Sequence, residues 1–170
     1  MSGLYGVDKI NSILNSFLEE WECTVSLDSD FAYYHSSNLI TYSMVIADSF
    51  GDKLFMSLVN ELCPEIKGDI FLWSLLHELG HHETIDDLED DEIAYCQDEK
   101  ERITRELEEC KDAETGARIA SQYYVLPDEY AATAWAADFV RHNVKKVEQL
   151  WNELQPAIME FYSLNNIEED

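Results

Sequence analysis

The chain has 170 residues, 46% of them hydrophobic, and its 36 acidic and 11 basic residues give a formal net charge of −25. This length and apolar content favour a single domain, residues 1–170, with its own core. The negative charge repels phosphate backbones and anionic lipid, so we expect no direct contact with nucleic acid and no membrane partner. The four cysteines form no Cys-x-x-Cys pair, and no apolar run approaches the roughly 20 residues that span a bilayer, which together favour a cytoplasmic protein with reduced thiols.

The N-terminal part of the chain predicts one helix followed by a small sheet. Apolar residues recur at spacings of three and four over residues 7–21, which is typical of an amphipathic helix that packs on a sheet. Three β-favouring stretches follow at 22–27, 31–34 and 39–45, separated by short polar runs. We expect these stretches to form a small antiparallel three-stranded meander.

Two helices are predicted next, with a break between them. Helical spacing returns at residues 47–62, and Pro64 and Gly68 then interrupt the chain. Asp69 is a suitable N-cap for the following helix. The residues that follow are mostly apolar through Leu79, so this second helix is expected to be buried.

The buried helix carries the pattern His-Glu-x-x-His at residues 77–81. Residues four apart project from one helix face, so His77 and His81 can share one cation, and Glu78 can reach a metal-bound water without binding the metal. His82 points about 100° away from His81 and is given no ligand role. The pattern is typical of zinc peptidases, and the alternative is two histidines at the edge of a core beside a solvated glutamate, with no metal.

An acidic insert follows at about residues 83–116. Residues 83–114 hold 15 acidic and four basic residues, and the run 86–92 predicts a solvated loop or the start of a helix. From Asp98 to Lys111 a narrow apolar stripe predicts an exposed helix at the edge of the domain, the stripe being Ile103, Leu107 and Cys110. We interpret the insert as a solvated face, and a lid or a docking surface for a basic partner is the alternative.

A catalytic zinc site has three protein ligands and one open position, so a third ligand is needed. The metzincin pattern fails because Thr84 and Asp87 replace its Gly and His, which leaves Asp87 as a minor candidate. A helix is predicted at 126–139, begun by Pro127 and acidic residues, with Glu129 in its first turn. The stripe through Glu129 continues in small residues that let two helices approach closely, namely Ala132, Thr133 and Ala136. We interpret Glu129 as the third ligand, and an acid placed by the helix dipole is the alternative.

The end of the chain predicts one more helix. Apolar spacing between Val144 and Phe161 predicts a C-terminal helix at about 143–163, with a kink or a restart at Pro156. The residues from Asn165 to Asp170 form a polar tail.

The histidine motif and the Glu129 helix resemble the ImmA/IrrE-type minigluzincin metallopeptidases. The resemblance rests on His-Glu-Leu-Gly-His and on a downstream Glu-x-x-Ala-x-x-x-Ala pattern, here Glu129, Ala132 and Ala136. It implies a small zincin-like α+β fold, with zinc on His77, His81 and Glu129 and with Glu78 as the base. Members of that family occur in phages, mobile elements and bacterial regulatory systems, and several act on transcriptional repressors. The acidic insert departs from the family pattern, so the resemblance predicts neither the shape of the substrate cleft nor the substrate.

Related zinc peptidases stabilise the oxyanion with a tyrosine or a histidine, and the candidates here are Tyr123, Tyr124 and His142. We therefore expect a zinc-dependent metalloendopeptidase that hydrolyses a peptide bond in a protein or peptide substrate, such as a basic segment or a transcriptional regulator. The alternative is a non-enzymatic acidic interaction protein on a zincin-like scaffold, such as a phage-type nucleic-acid mimic or inhibitor. The net charge and the acidic insert favour that alternative.

Overall fold

The computed structural model describes residues 4–45 and 50–166. Within these ranges the chain forms seven α-helices and one three-stranded mixed sheet, so the predicted α+β class is confirmed. The chain divides into two compact units, one made of Met1–Val45 with His142–Asp170 and the other of Ile46–Arg141. No helix within 4–45 or 50–166 has both the length and the apolar character that crossing a bilayer requires.

In the first unit, an amphipathic helix packs against the sheet, as predicted. Helix α1 spans Val7–Leu18 and continues into a 3₁₀ turn at Glu19–Trp21. Its inner face carries three residues spaced four apart with no exposed surface, Ile10, Leu14 and Leu18. On the same helix, the Asn15 Oδ1 atom accepts a hydrogen bond of 2.9 Å from the backbone N–H of Val25 in the first strand. Apolar burial and this polar contact together fix the helix on the sheet.

The sheet is mixed, and the predicted antiparallel meander is wrong. Strands β1 (Thr24–Leu27), β2 (Ala32–Tyr34) and β3 (Leu39–Tyr42) lie in the order β1-β3-β2. Strand β2 is antiparallel to β3, but β1 runs parallel to it. The reason is burial: Ile40 and Tyr42 of β3 have no exposed surface, and a strand buried along its length is stable in the centre of a sheet. Chain order alone does not reveal this.

Helix α7, Val144–Leu164, completes the first unit and confirms the predicted C-terminal helix. It continues through Pro156 as one helix, so the suggested restart there is wrong. Its Tyr162 hydroxyl donates a hydrogen bond of 2.6 Å to the backbone carbonyl of Met44, which ties the helix to the segment after β3. Residues 167–170 of the predicted tail lie outside the described residues.

The second unit consists of helices. These are α2 (Phe50–Leu62), α3 (Ile70–Thr84), α4 (Asp90–Glu109), α5 (Ala113–Ala120) and α6 (Pro127–His142). Helix α2 confirms the predicted helix from residue 50 onward, whereas residues 47–49 lie outside the described residues. The predicted cap of α3 is also confirmed, because the Asp69 carboxylate accepts a hydrogen bond of 2.8 Å from the Phe71 N–H.

The acidic insert forms helix α4 and the start of α5, and most residues of α4 are exposed, as predicted, but its inner face also contributes to the core. Helix α4 begins well before Asp98 because Glu89 and Glu92 form a capping box at its start. The predicted stripe is also wrong in part, since Leu107 is 39% exposed. A buried cluster instead joins α4, α5 and the start of α6, formed by Cys96, Ile103, Ile119 and Leu126.

Trp73 of α3 has an unusual environment. Its side chain is 1% exposed, and within residues 4–45 and 50–166 its Nε1–H is the buried side-chain polar group that has no hydrogen-bond partner. Gly68, in the turn before α3, lies against the indole, and a Cβ there would stand 2.3 Å from Nε1. Only glycine therefore fits this turn without moving the ring.

Candidate metal centre

Helices α3 and α6 cross closely where Gly80 meets Ala132. A Cβ built on Gly80 would lie 2.3 Å from the Ala132 carbonyl oxygen, so only a hydrogen atom fits there. The facing side of α6 is made of small buried residues, Ala132, Thr133 and Ala136. The close approach that these small residues predicted is confirmed.

The crossing brings His77, His81 and Glu129 together. One ligand atom from each residue lies within 4.8 Å of the other two. The Glu129 Oε2 atom is 2.9 Å from His77 Nε2 and 3.3 Å from His81 Nε2. His77 is 5% exposed and Glu129 3% exposed, so this polar cluster is buried and each member needs a partner.

Thr133 determines which nitrogen of His77 carries the proton. The Thr133 hydroxyl donates its one hydrogen to the backbone carbonyl of Glu129 at 3.1 Å. Its contact of 2.9 Å with His77 Nδ1 must therefore be accepted from an Nδ1–H donor. Neutral His77 then has a lone pair on Nε2, which faces the lone pairs of Glu129 Oε2. Such a pair is stable only with a proton or a metal cation between the two atoms.

The residues fit a zinc ion. Two imidazole nitrogens and one carboxylate oxygen are ligands that zinc prefers, and three protein ligands leave the fourth position open. In a tetrahedral site with bonds of about 2.0–2.1 Å, ligand atoms are about 3.4 Å apart. The separations of 2.9 Å and 3.3 Å in this cluster are close to that value. Asp87, the minor candidate, is exposed in a 3₁₀ turn and does not belong to the group.

Glu78 lies on α3 beside the two histidines and is 9% exposed. Burial raises the pKa of its carboxyl, and the charges of His77 and His81 act in the opposite direction without cancelling that effect. A carboxyl whose pKa lies nearer to neutral pH can both accept and release a proton. Glu78 is therefore a buried carboxyl whose pKa is shifted toward neutral pH.

The cluster has a strong charge pairing of its own. Burial disfavours the charge on Glu129, but hydrogen bonds from His77 and His81 hold its pKa well below the ordinary value. Burial likewise disfavours protonated His81, yet the hydrogen bond and charge of Glu129 raise the pKa of that imidazole. Glu129 is therefore ionised in the buried cluster, and its negative charge favours a cation beside Oε2.

Lys100 of α4 is a member of the site that sequence reasoning missed. Its ammonium donates hydrogen bonds of 2.5 Å to Asp128 Oδ2 and 2.6 Å to Glu129 Oε1. Burial acts to lower the pKa of Lys100, but the charge of Glu129 and the bond to Asp128 raise it overall. The available signal was its spacing: residues 96, 100 and 103 share one face of α4, and Cys96 and Ile103 are buried.

Aromatic side chains enclose His77. The rings of Phe55 and Tyr124 have centroids 5.2 Å and 6.4 Å from the His77 ring, and Phe55 was not predicted. Burial, with the charge of Glu129, raises the pKa of Tyr124 to about 12. The same two causes raise the pKa of Tyr123. Both hydroxyls are therefore neutral donors near the cluster.

The remaining two histidines considered for the site lie outside the group. His142 is the exposed last residue of α6, and the helical rise places it about 20 Å along the axis from Glu129. His82 lies 4.0 Å from the Glu83 carboxylate and is absent from the metal-type group, in agreement with its predicted orientation.

Comparisons with known proteins add no family assignment. No protein-family model, curated protein or solved structure matches the chain. The functional interpretation therefore depends on the chemistry of the residues at the crossing of α3 and α6.

Proposed function

We propose that the protein is a zinc-dependent metalloendopeptidase of the ImmA/IrrE-type minigluzincin kind. One observation supports this above all: His77, His81 and Glu129 converge from two helices, with Glu78 buried beside them. Zinc bound there would polarise a scissile carbonyl and lower the pKa of its bound water toward about 7.

The side chains around the cluster have distinct roles in this proposal. Glu78 takes a proton from the attacking water and delivers it to the leaving amine. Tyr124 is the better donor to the oxyanion, because its ring lies against His77, whereas Tyr123 packs against the buried cluster of α4 and α5. Thr133 holds His77 in the tautomer that leaves Nε2 available to a metal.

The substrate is proposed to be a basic peptide segment of a protein, such as a transcriptional regulator. The net charge of −25 attracts cationic partners and raises their rate of encounter. Within the described residues, α4 adds an exposed acidic start, with Asp90, Asp91 and Glu92 in its first turn.

The experiment combines metal analysis with three variants. The purified protein should contain about one zinc per chain, and His77→Ala should lose it. Glu78→Gln should keep the zinc but cleave a peptide library about 10²- to 10⁴-fold more slowly. His82→Ala, the neighbouring histidine outside the group, is the matched control and should retain both zinc and cleavage. If the wild-type protein contains no zinc and His77→Ala has the same properties as wild type, the metal site is refuted. If Glu78→Gln cleaves peptides as fast as wild type, the role of Glu78 as the base is refuted.

The second candidate is a non-enzymatic acidic protein that binds a basic groove on a partner, and the net charge is the observation that favours it. Association of that kind weakens with ionic strength. Binding that disappears at moderate salt and is unaffected by Glu78→Gln, in a protein without peptide cleavage, would favour this function over the peptidase.

A further inference from the structure

The two carboxylate oxygens of Glu129 have different partners. Oε2 faces the histidines, as described above, whereas Oε1 accepts a hydrogen bond of 2.6 Å from Lys100. The same ammonium binds Asp128 Oδ2 at 2.5 Å, and Asp128 Oδ1 accepts the Glu129 backbone N–H at 2.8 Å. Lys100 thus links helix α4 of the acidic insert to the first turn of α6.

This arrangement has a consequence for charge. Without a metal, the buried Glu129 carboxylate needs a cation, and the Lys100 ammonium, 2.6 Å from Oε1, supplies one. With a divalent ion on Oε2, the same carboxylate has two cationic partners, which repel each other. Lys100 therefore stabilises the metal-free site more than the metal-bound site, and the negative charge of Asp128 offsets part of the difference.

We propose that Lys100 is an internal counter-ion that keeps the ligands assembled without metal and thereby limits the affinity of the site for zinc. This inference rests on the proposed zinc site. It also gives the acidic insert a defined role, since α4 carries the cation that sets how readily the site fills.

A simple positioning role would have the opposite sign. If Lys100 mainly orients Glu129 for coordination, its removal leaves a misplaced ligand and weakens zinc binding. If Lys100 is a counter-ion, its removal strengthens zinc binding and destabilises the metal-free protein. The direction of the change in affinity therefore separates the two roles.

The experiment measures the zinc dissociation constant by competition with a chromogenic chelator, and the thermal unfolding of the chelated protein. Lys100→Met should bind zinc on the order of tenfold more tightly and unfold at a lower temperature when chelated. Asp128→Asn should bind zinc more weakly, because it leaves the charge of Lys100 less compensated. Arg105→Met removes one positive charge from an exposed position of the same helix and should change neither quantity.

Each outcome decides the matter. If the wild-type protein binds zinc and Lys100→Met binds it equally or more weakly, this inference is overturned. The peptidase proposal is unaffected by that result. If neither protein binds zinc, both proposals fail. If Lys100→Met folds only in the presence of zinc, the counter-ion role is supported. It is also supported if Lys100→Met binds zinc and the wild-type protein does not. Should Lys100→Met fold in neither condition, Asp128→Asn decides, and unchanged or tighter zinc binding by it overturns the inference.

Discussion

Gly80→Ala is expected to destabilise the protein and to loosen the proposed metal site. The added Cβ would stand 2.3 Å from the Ala132 carbonyl oxygen, 2.8 Å from its carbonyl carbon and 2.9 Å from its Cα. Because these are backbone atoms of a helix, α3 and α6 must separate by about 1 Å to regain an ordinary contact of about 3.5 Å. Such overpacking costs about 1–3 kcal/mol, and the helix preference of alanine returns about 1 kcal/mol. With strain at the upper end, the net loss in the free energy of unfolding is about 2 kcal/mol.

The measurement is urea denaturation of the chelated variant, followed by a zinc titration. His77 and Glu129 each lie one helical turn before the crossing, so their separation of 2.9 Å should widen and the zinc affinity should fall. Gly116→Ala is the matched control. A Cβ on Gly116, within α5, would meet only Cys110 Sγ at 3.7 Å, so that variant should gain about 0.5–1 kcal/mol. A Gly80→Ala protein as stable as wild type would refute the close crossing.

Three further predictions follow from the site. Thr133→Val removes the acceptor of the His77 Nδ1 proton, so zinc affinity in a chelator competition should fall about 10- to 100-fold, whereas Thr133→Ser should retain it. Tyr124→Phe should lower kcat for peptide cleavage about 10²-fold at unchanged zinc content. In the chelated protein, the stabilisation from Glu129 is present above the ordinary pKa of 4.5 and is lost as the pH falls through its depressed pKa. The stabilisation from His81 is present below its ordinary pKa of 6.5 and is lost as the pH rises through its raised pKa. The melting temperature of the chelated protein should therefore be highest between pH 4.5 and pH 6.5. Glu129→Gln should make its decrease less steep on both sides of that range.

The parts of the site that lie on single helices could be predicted from the sequence. Residues four apart on a helix share a face whatever the rest of the fold, so the pairing of His77 and His81 needed no tertiary information. Glu129 was a stronger test, because it lies on a separate helix. Glu129 lies beside the two histidines, as predicted, because the small side chains that follow it allow a close helix crossing. Gly80 on the facing helix makes that crossing closer still.

The parts that depend on long-range packing could not be predicted. Strand β3 lies between β1 and β2 because of how its residues are buried, and strand propensity contains no information on neighbours. Lys100 was assigned to a solvated face because an isolated lysine among acids has no local signature. Thr133 was treated only as a small residue, although its hydroxyl orients His77. Both roles depend on a partner that is distant in sequence.

The dry environment of Trp73 makes this residue a natural optical probe. Its indole has no hydrogen-bond partner, lies one helical turn before His77 and is the one fully buried ring among the four tryptophans, all of which lie in the described ranges. An indole shielded from water emits at shorter wavelength than a hydrated one. Local opening of α3 should thus appear as a red shift in intrinsic fluorescence, which would let stopped-flow spectroscopy follow the helix that carries both histidines without any added dye.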